Sequence, residues 1–249
     1  MVTLAVPYHL DGRLEHFDCA VPVDSEITAE LPRGTPWERM AVLYDAVAAA
    51  VSRLDSPPLV VTGDCTTSLG ILAGLQRGGG DPGIVWFDGH ADFHTEATTT
   101  SGYLGGLPLA LAAGVGTLTL PGALGLRPVP ESRIVLVDAR DTDPGEHVLL
   151  RNSAVTRTAV RDVDAGGLPE GEIYLHVDLD VCDPTDVPDL LFPAPGGPTV
   201  DDVVAAIGRV AAAGRVTGAC IAATWHHRSP GSPVHRDLVQ RVAQAAAGG

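Results

Sequence analysis

The stretch Gly83-Ile84-Val85-Trp86-Phe87-Asp88-Gly89-His90-Ala91-Asp92 decides the fold. It opens as a short, unbroken apolar run, the pattern of a strand buried on both faces of a parallel sheet. It then breaks into carboxylates and an imidazole, and open parallel sheets hold their ligands beyond the carboxyl ends of their strands. Runs of the same kind lie on either side, at Val2–Val6, Leu59–Thr62, Arg133–Asp138, Glu172–Val177 and Arg215–Ala223. Helical patterns alternate with them. Thr35, Pro36 and Glu38 spell an N-cap, a first-turn proline and a capping box. Met40, Leu43, Tyr44, Val47, Val51 and Leu54 then recur at helical spacing until Pro57 and Pro58. Further helices are expected over 66–76, from the cap Thr199 to about Ala213, and over 237–247, with 90–106 and 183–197 as loops. No composition break or repeat interrupts the series. The expected architecture is a three-layer α/β/α sandwich with a mainly parallel sheet, as a single domain over 1–249.

Composition removes several classes of function. Of the 249 residues, 45% are hydrophobic and 19% charged, a globular balance. Sixteen basic against 31 acidic residues give −15, and an acidic chain lacks the basic face that nucleic acid requires. No apolar, charge-free stretch reaches the roughly 18 residues of a membrane span. Every basic residue is arginine, which rules out a Schiff-base lysine and a complete P-loop. The opening MVTLAVPYHLDG has neither a basic start nor a long apolar core, so it does not read as a signal peptide. Cys19, Cys65, Cys182 and Cys220 are too few and scattered for a disulfide scaffold. The expected compartment is the cytoplasm, and the expected partner is a small molecule.

Three strand ends carry unusual residues. Gly63-Asp64-Cys65 follows Leu59–Thr62, Asp88 to Asp92 follows Gly83–Phe87, and Asp178-Leu179-Asp180 with Asp183-Pro184 follows Glu172–Val177. A lone aspartate at a strand end is usually a cap or turn residue. Asp88, Asp92, Asp178 and Asp180 together at one edge are different, because crowded carboxylates repel unless cations hold them ionised. Two divalent ions bridged by carboxylates meet that need and activate water between them. Carboxylate and imidazole suit Mn²⁺, whereas a thiolate at Cys65 shifts preference toward Zn²⁺, Fe²⁺ or Co²⁺. Cys19, Cys182 and Cys220 read as structural, as do His9, His16, His147 and His235. His176 shares a strand face with Asp178 and reads as a support behind the ligands.

These blocks resemble the arginase/agmatinase ureohydrolase family. Thr62 to Cys65 matches its G-G-D-H, Phe87 to Asp92 its D-A-H-x-D, and Val177 to Pro184 its F-D-x-D-x-x-D-P. Thr98 to Gly106 is similar to its substrate loop, which implicates Ser101 and Tyr103 in substrate binding, together with Asp183 within the last block. The resemblance implies an arginase-like fold with two Mn²⁺ ions. One would take Cys65, Asp88, Asp92 and Asp178, the other His90, Asp88, Asp178 and Asp180. It further implies that a shared hydroxide attacks a guanidine or amidine carbon, with Asp92 or Asp180 accepting its proton. Family members are often trimers or hexamers, which makes a homo-oligomer an open expectation.

Four positions depart from the family pattern. Cys65 replaces its first histidine ligand, and Gly105 stands at a histidine proton shuttle. Ala223 stands at the glutamate that pairs with the guanidinium, and His94 at an asparagine that binds the amino-acid head group. The cysteine exchange, with D-G-H-x-D-F and G-Y-L-G-G, resembles the branch that hydrolyses Nω-hydroxyarginine to hydroxyurea in antibiotic biosynthesis. His94 is a candidate for substrate contact or proton transfer, and His226 and His227, which follow the strand carrying Ala223, are candidates to fill the gap there, His226 as a substrate contact. The expected activity is a binuclear metal hydrolase of C–N bonds in a small guanidino or amidino compound. Its rivals are an amide hydrolase using the same ions and a catalytically silent homologue.

Overall fold

The computed structural model describes residues 1–226 and 232–248. Along them run β1 (Val2–Val6), an antiparallel hairpin of β2 (Tyr8–His9) and β3 (Gly12–Arg13), β4 (Ser25–Glu26), α1 (Pro36–Val51), β5 (Pro58–Thr62), α2 (Ser68–Arg77) and β6 (Gly83–Asp88). Then follow α3 (Pro108–Ala112), α4 (Thr119–Leu124), β7 (Ile134–Asp138), α5 (Pro144–Arg151), β8 (Thr156–Thr158), β9 (Ile173–Asp178), α6 (Val200–Ala211), β10 (Val216–Ala222) and α7 (Pro233–Ala246). The main sheet has the order β4-β1-β5-β10-β9-β6-β7-β8, and all its pairings are parallel.

Every residue of β5, β6 and β9 is buried, as their unbroken apolar runs require. Alternate side chains go to opposite layers. Val60, Ile84, Trp86, Leu136 and Tyr174 pack with Met40, Leu43, Leu69 and Leu72 of α1 and α2. Leu59, Val61, Phe87, Leu175 and Val177 pack with Val203, Ile207, Leu238 and Val242 of α6 and α7. That arrangement is a three-layer α/β/α sandwich. Among the described residues no helix is long and apolar enough to cross a membrane.

The capping box at Thr35 forms as the sequence predicts, with Glu38 N–H on the Thr35 side chain and the Glu38 carboxylate returning to Thr35 N–H at 2.8 Å. The structure departs from expectation at several element ends and in three short helices. The helix expected over 66–76 is split, because the Asp64 side chain caps a short 3₁₀ turn, Cys65–Thr67, ahead of α2. α7 starts at Pro233 rather than 237, since Ser232 accepts from His235 N–H and Pro233 fits the first turn. α3, α4 and α5 have 5, 6 and 8 residues and are too short for a periodic pattern to stand out.

α2 meets α1 through Gly70 and Gly74, one helical turn apart. A Cβ on Gly70 would lie 2.8 Å from Tyr44 O, and one on Gly74 2.8 Å from Ala48 O. Backbone cannot yield as a side chain can, so Gly70→Val is expected to lower stability by about 2–3 kcal/mol through overpacking. Urea unfolding checks this, and an unchanged midpoint would show that α1 slides aside.

Candidate metal centre

The sheet brings the carboxyl ends of β5, β10, β9 and β6 side by side. The residues just beyond them form the floor of a cavity of about 180 Å³, which Asp64, Cys65, Asp88, His90, Asp92, Asp178, Asp180 and Thr224 help to line.

Local hydrogen bonds aim each of these groups. Asp88 accepts from Trp86 Nε1 at 3.0 Å on one oxygen and from His90 N–H at 2.7 Å on the other. Asp178 Oδ1 accepts from Asp180 N–H at 2.8 Å and from the Thr224 hydroxyl at 2.5 Å. Its Oδ2 accepts from the Cys65 thiol at 2.8 Å. Asp180 receives Gly89 N–H at 3.1 Å and lies 3.0 Å from His90 Nδ1. Asp92 has a left-handed backbone, φ 50°, uncommon for a residue with a side chain. Leu109 and Ala110 at the start of α3 hold it there by donating to its carbonyl, at 3.0 and 3.2 Å. Asp64 is spent on structure, receiving Leu10 N–H at 2.6 Å and Thr66 N–H at 2.8 Å.

The electrostatics of this floor call for cations. Burial, then the charges of Asp88 and Asp178, push the Asp92 carboxyl far above the usual range. Burial, then Asp180 and Asp88, do the same to Asp178. Burial and Asp88 raise Asp180 to about 6 against the pull of His90. Burial and three neighbouring carboxylates push the Cys65 thiol up. His90 goes the other way from its desolvation: contacts with Asp180 and Asp88 outweigh burial and raise it to about 12.

Asp92 Oδ2 is buried without any hydrogen-bond partner. The ligand atoms of Asp88, His90 and Asp180 lie within 4.8 Å of one another, and so do those of Cys65, Asp88 and His176. An orphaned carboxylate oxygen and two donor triads sharing Asp88 fit a pair of divalent ions.

The cavity wall comes from the loop after Asp92 and from the start of α5. Ser101 and Tyr103 line it, and the Tyr103 ring tilts against Phe192 at 4.9 Å. His9 Nδ1 lies 3.0 Å from the Gly63 carbonyl, which only accepts, so His9 Nε2 is left to accept the Tyr103 hydroxyl at 3.0 Å. A Cβ at Gly105 would run into the Tyr103 ring. His94 sits 3.1 Å from Thr98 Oγ1, 3.3 Å from Asp143 and 4.0 Å from Glu146.

The wall does not include Asp183 or His226. The Asp183 carboxylate is taken up by Thr185 and by Gly197 N–H at 2.9 Å, which closes its own loop. The exposed His226 donates its backbone N–H to Asp189 O, while His227 lies outside the described residues. Ala223 is wholly buried and donates its N–H to Thr62 O at 2.7 Å. Reading the sequence missed Thr224, Phe192, Asp141, Asp143 and Glu146 as lining of the site, and His9 as the partner of Tyr103 behind it. Only Asp143-Pro144 carried a local signal, a capping residue before a first-turn proline.

The chain is similar to known proteins in sequence and in fold. An arginase from Bacillus subtilis is 30% identical over 175 residues, 65% of this chain and 59% of its own length. An N(omega)-hydroxy-L-arginine amidinohydrolase from Streptomyces lavendulae is 33% identical over 171 residues, 66% of this chain and 59% of its own. Each match thus spans less than two thirds of the relative. The solved arginase structure from Bacillus subtilis subsp. subtilis str. 168 superposes with a TM-score of 0.86 at 21% identity, covering 100% of this chain and 98% of that one. The arginase family profile matches residues 5–222, and the chain belongs to the arginase family.

Proposed function

We propose that this chain is a metal-dependent hydrolase that cleaves a C–N bond in a small guanidino compound, with Nω-hydroxyarginine, split to ornithine and hydroxyurea, as its substrate. The observation that carries the reading is the buried floor of Asp88, Asp92, Asp178 and Asp180, with Asp92 Oδ2 unpartnered beneath an open cavity. Cys65, Asp88, Asp92 and Asp178 would hold one ion, and His90, Asp88, Asp178 and Asp180 the other. Mn²⁺ is the family's ion, and Cys65 admits Zn²⁺, Fe²⁺ or Co²⁺. When bound, such ions supply Lewis acidity and an activated water.

The protein's own groups do the rest. Asp92 Oδ2, with no hydrogen-bond donor of its own, is placed to take a proton from water. His94, between Asp143 and Glu146, stands where it can deliver a proton to the leaving nitrogen. The balance is simple: water adds to the guanidine carbon, the bond to the ornithine nitrogen breaks, and that nitrogen gains the proton. Tyr103 and Phe192 form the apolar side of the cavity.

With alanine at 223, no carboxylate reaches the substrate from β10, so a full cation has lost one anchor. A hydroxyguanidine is less basic and needs that anchor less, while Asp141, Asp143 and Glu146 offer acidity along the wall. A cytoplasmic setting is consistent with four free cysteines.

Turnover tests the reading. The full chain, reduced and loaded with Mn²⁺ or Co²⁺, is given Nω-hydroxyarginine, arginine and an N-acyl amine, with products followed by mass spectrometry. Hydroxyarginine is expected to exceed arginine in kcat/KM by at least about tenfold, roughly 1.4 kcal/mol of discrimination. Cleavage of the amide alone would replace this substrate with the acylated one. No turnover by a metal-loaded protein would make the chain a silent homologue.

A further inference from the structure

His176 lies on β9 two residues before Asp178, on the same face of the strand, and is completely buried. Its ring stacks on Trp86, centroids 3.6 Å apart, which fixes the plane of the imidazole. Nδ1 is 3.0 Å from Ser68 Oγ, and the Tyr174 hydroxyl donates to that same oxygen at 2.8 Å. Ser68 Oγ has lone pairs for both donors. In the tautomer that metal ligation at Nε2 requires, Nδ1 carries the ring proton and donates to Ser68 Oγ, which leaves Nε2 a bare lone pair. Nε2 is buried and has no hydrogen-bond partner. A ring nitrogen, Cys65 Sγ and an Asp88 oxygen lie mutually within 4.8 Å. Histidines that bind metals are oriented in this way, by a partner on the opposite ring nitrogen.

We propose that His176 is a metal ligand, donating Nε2 to the ion held by Cys65 and Asp88, so that this position is a thiolate–imidazole–carboxylate site for a borderline-soft divalent cation such as Zn²⁺, Fe²⁺ or Co²⁺. The proposal rests on the metal-dependent reading above and adds to it a ligand and a metal class. Ser68 and Tyr174 hold the ring in place, and Trp86 serves both ligands, stacking on His176 while donating to Asp88. The neighbouring triad of Asp88, His90 and Asp180 has no sulfur, so the two positions differ in softness.

The full chain, reduced and oxygen-free, is loaded with Co²⁺ and desalted, then assayed for cobalt per chain and for the near-ultraviolet thiolate-to-cobalt absorption. The unmodified protein is expected to keep about two ions and to show the band. His176→Ala is expected to lose the band and at least one ion. Ser68→Ala, which removes only the hydroxyl behind Nδ1, is expected to weaken the thiolate-bound ion about 10–100-fold in chelator competition. Should His176→Ala not fold, the unmodified protein loaded with ¹¹³Cd²⁺ answers directly: cadmium coupling to the ring protons of two histidines is expected, and coupling to one alone overturns the proposal. Retention of both cobalt ions and the band in His176→Ala overturns it too, while leaving the hydrolase reading intact. A native protein that binds no metal overturns both.

Discussion

Asp88→Ala is expected to leave a folded chain that binds no more than a trace of metal and loses at least about a thousandfold in kcat/KM. Asp88 is the one side chain common to both donor triads, so its loss removes an oxygen from each ion. Bound Lewis-acid ions contribute several kcal/mol of transition-state stabilisation, and each 1.4 kcal/mol is tenfold in rate. Folding should survive, because the groups that Asp88 leaves behind are few: Trp86 Nε1 and the His90 amide. Asp88→Asn tests charge apart from shape. The amide oxygen can still receive the Trp86 N–H, yet it brings no negative charge, so its metal content should resemble that of the alanine variant. Elemental analysis beside far-ultraviolet circular dichroism reads both outcomes. Two ions per chain and a kcat/KM within tenfold of the parent would remove Asp88 from the centre.

Stripping the metal is expected to cost the protein about 8–16 °C in Tm relative to the loaded form. A ligand present at a thousand times its Kd stabilises by about 4 kcal/mol, and about 2–4 °C accompany each kcal/mol in a chain of this size. The same cycle releases protons. In the metal-free site, burial and mutual repulsion keep Asp92, Asp178 and Cys65 protonated well above their ordinary ranges. Ligation requires those protons to leave, so loading acidifies a weakly buffered solution and affinity rises with pH. The metal's contribution to stability is therefore largest at neutral to alkaline pH and fades as pH falls. Metal uptake without proton release, at an affinity independent of pH, would show that these groups are not ligands.

Much of this arrangement was legible in the residues themselves. The apolar runs of β5, β6, β9 and β10 announce a parallel sheet because both of their faces must be covered. Thr35-Pro36 and Thr199 mark helix starts because capping is a local interaction. α3, α4 and α5 escaped notice because five to eight residues carry too little periodicity. With α5 went Glu146, whose buried carboxylate receives Phe93 N–H at 2.8 Å and lies 4.0 Å from His94 Nε2.

The sequence by itself determined which strands would end in carboxylates and that the chain has the arginase pattern. The strand ends follow from short-range rules, strand period and capping, whereas the arginase pattern is a resemblance carried by blocks of matching residues. Only the tertiary structure decided what surrounds each ligand. It set His176 against Trp86 and Ser68, passed the Tyr103 hydroxyl to His9, and gave Thr224 to Asp178. It also turned Asp183 back into its own loop and put His226 outside the cavity wall. Those partners stand tens to more than a hundred residues apart in the chain. Their meeting is fixed by strand order and helix packing, which no local run of residues encodes.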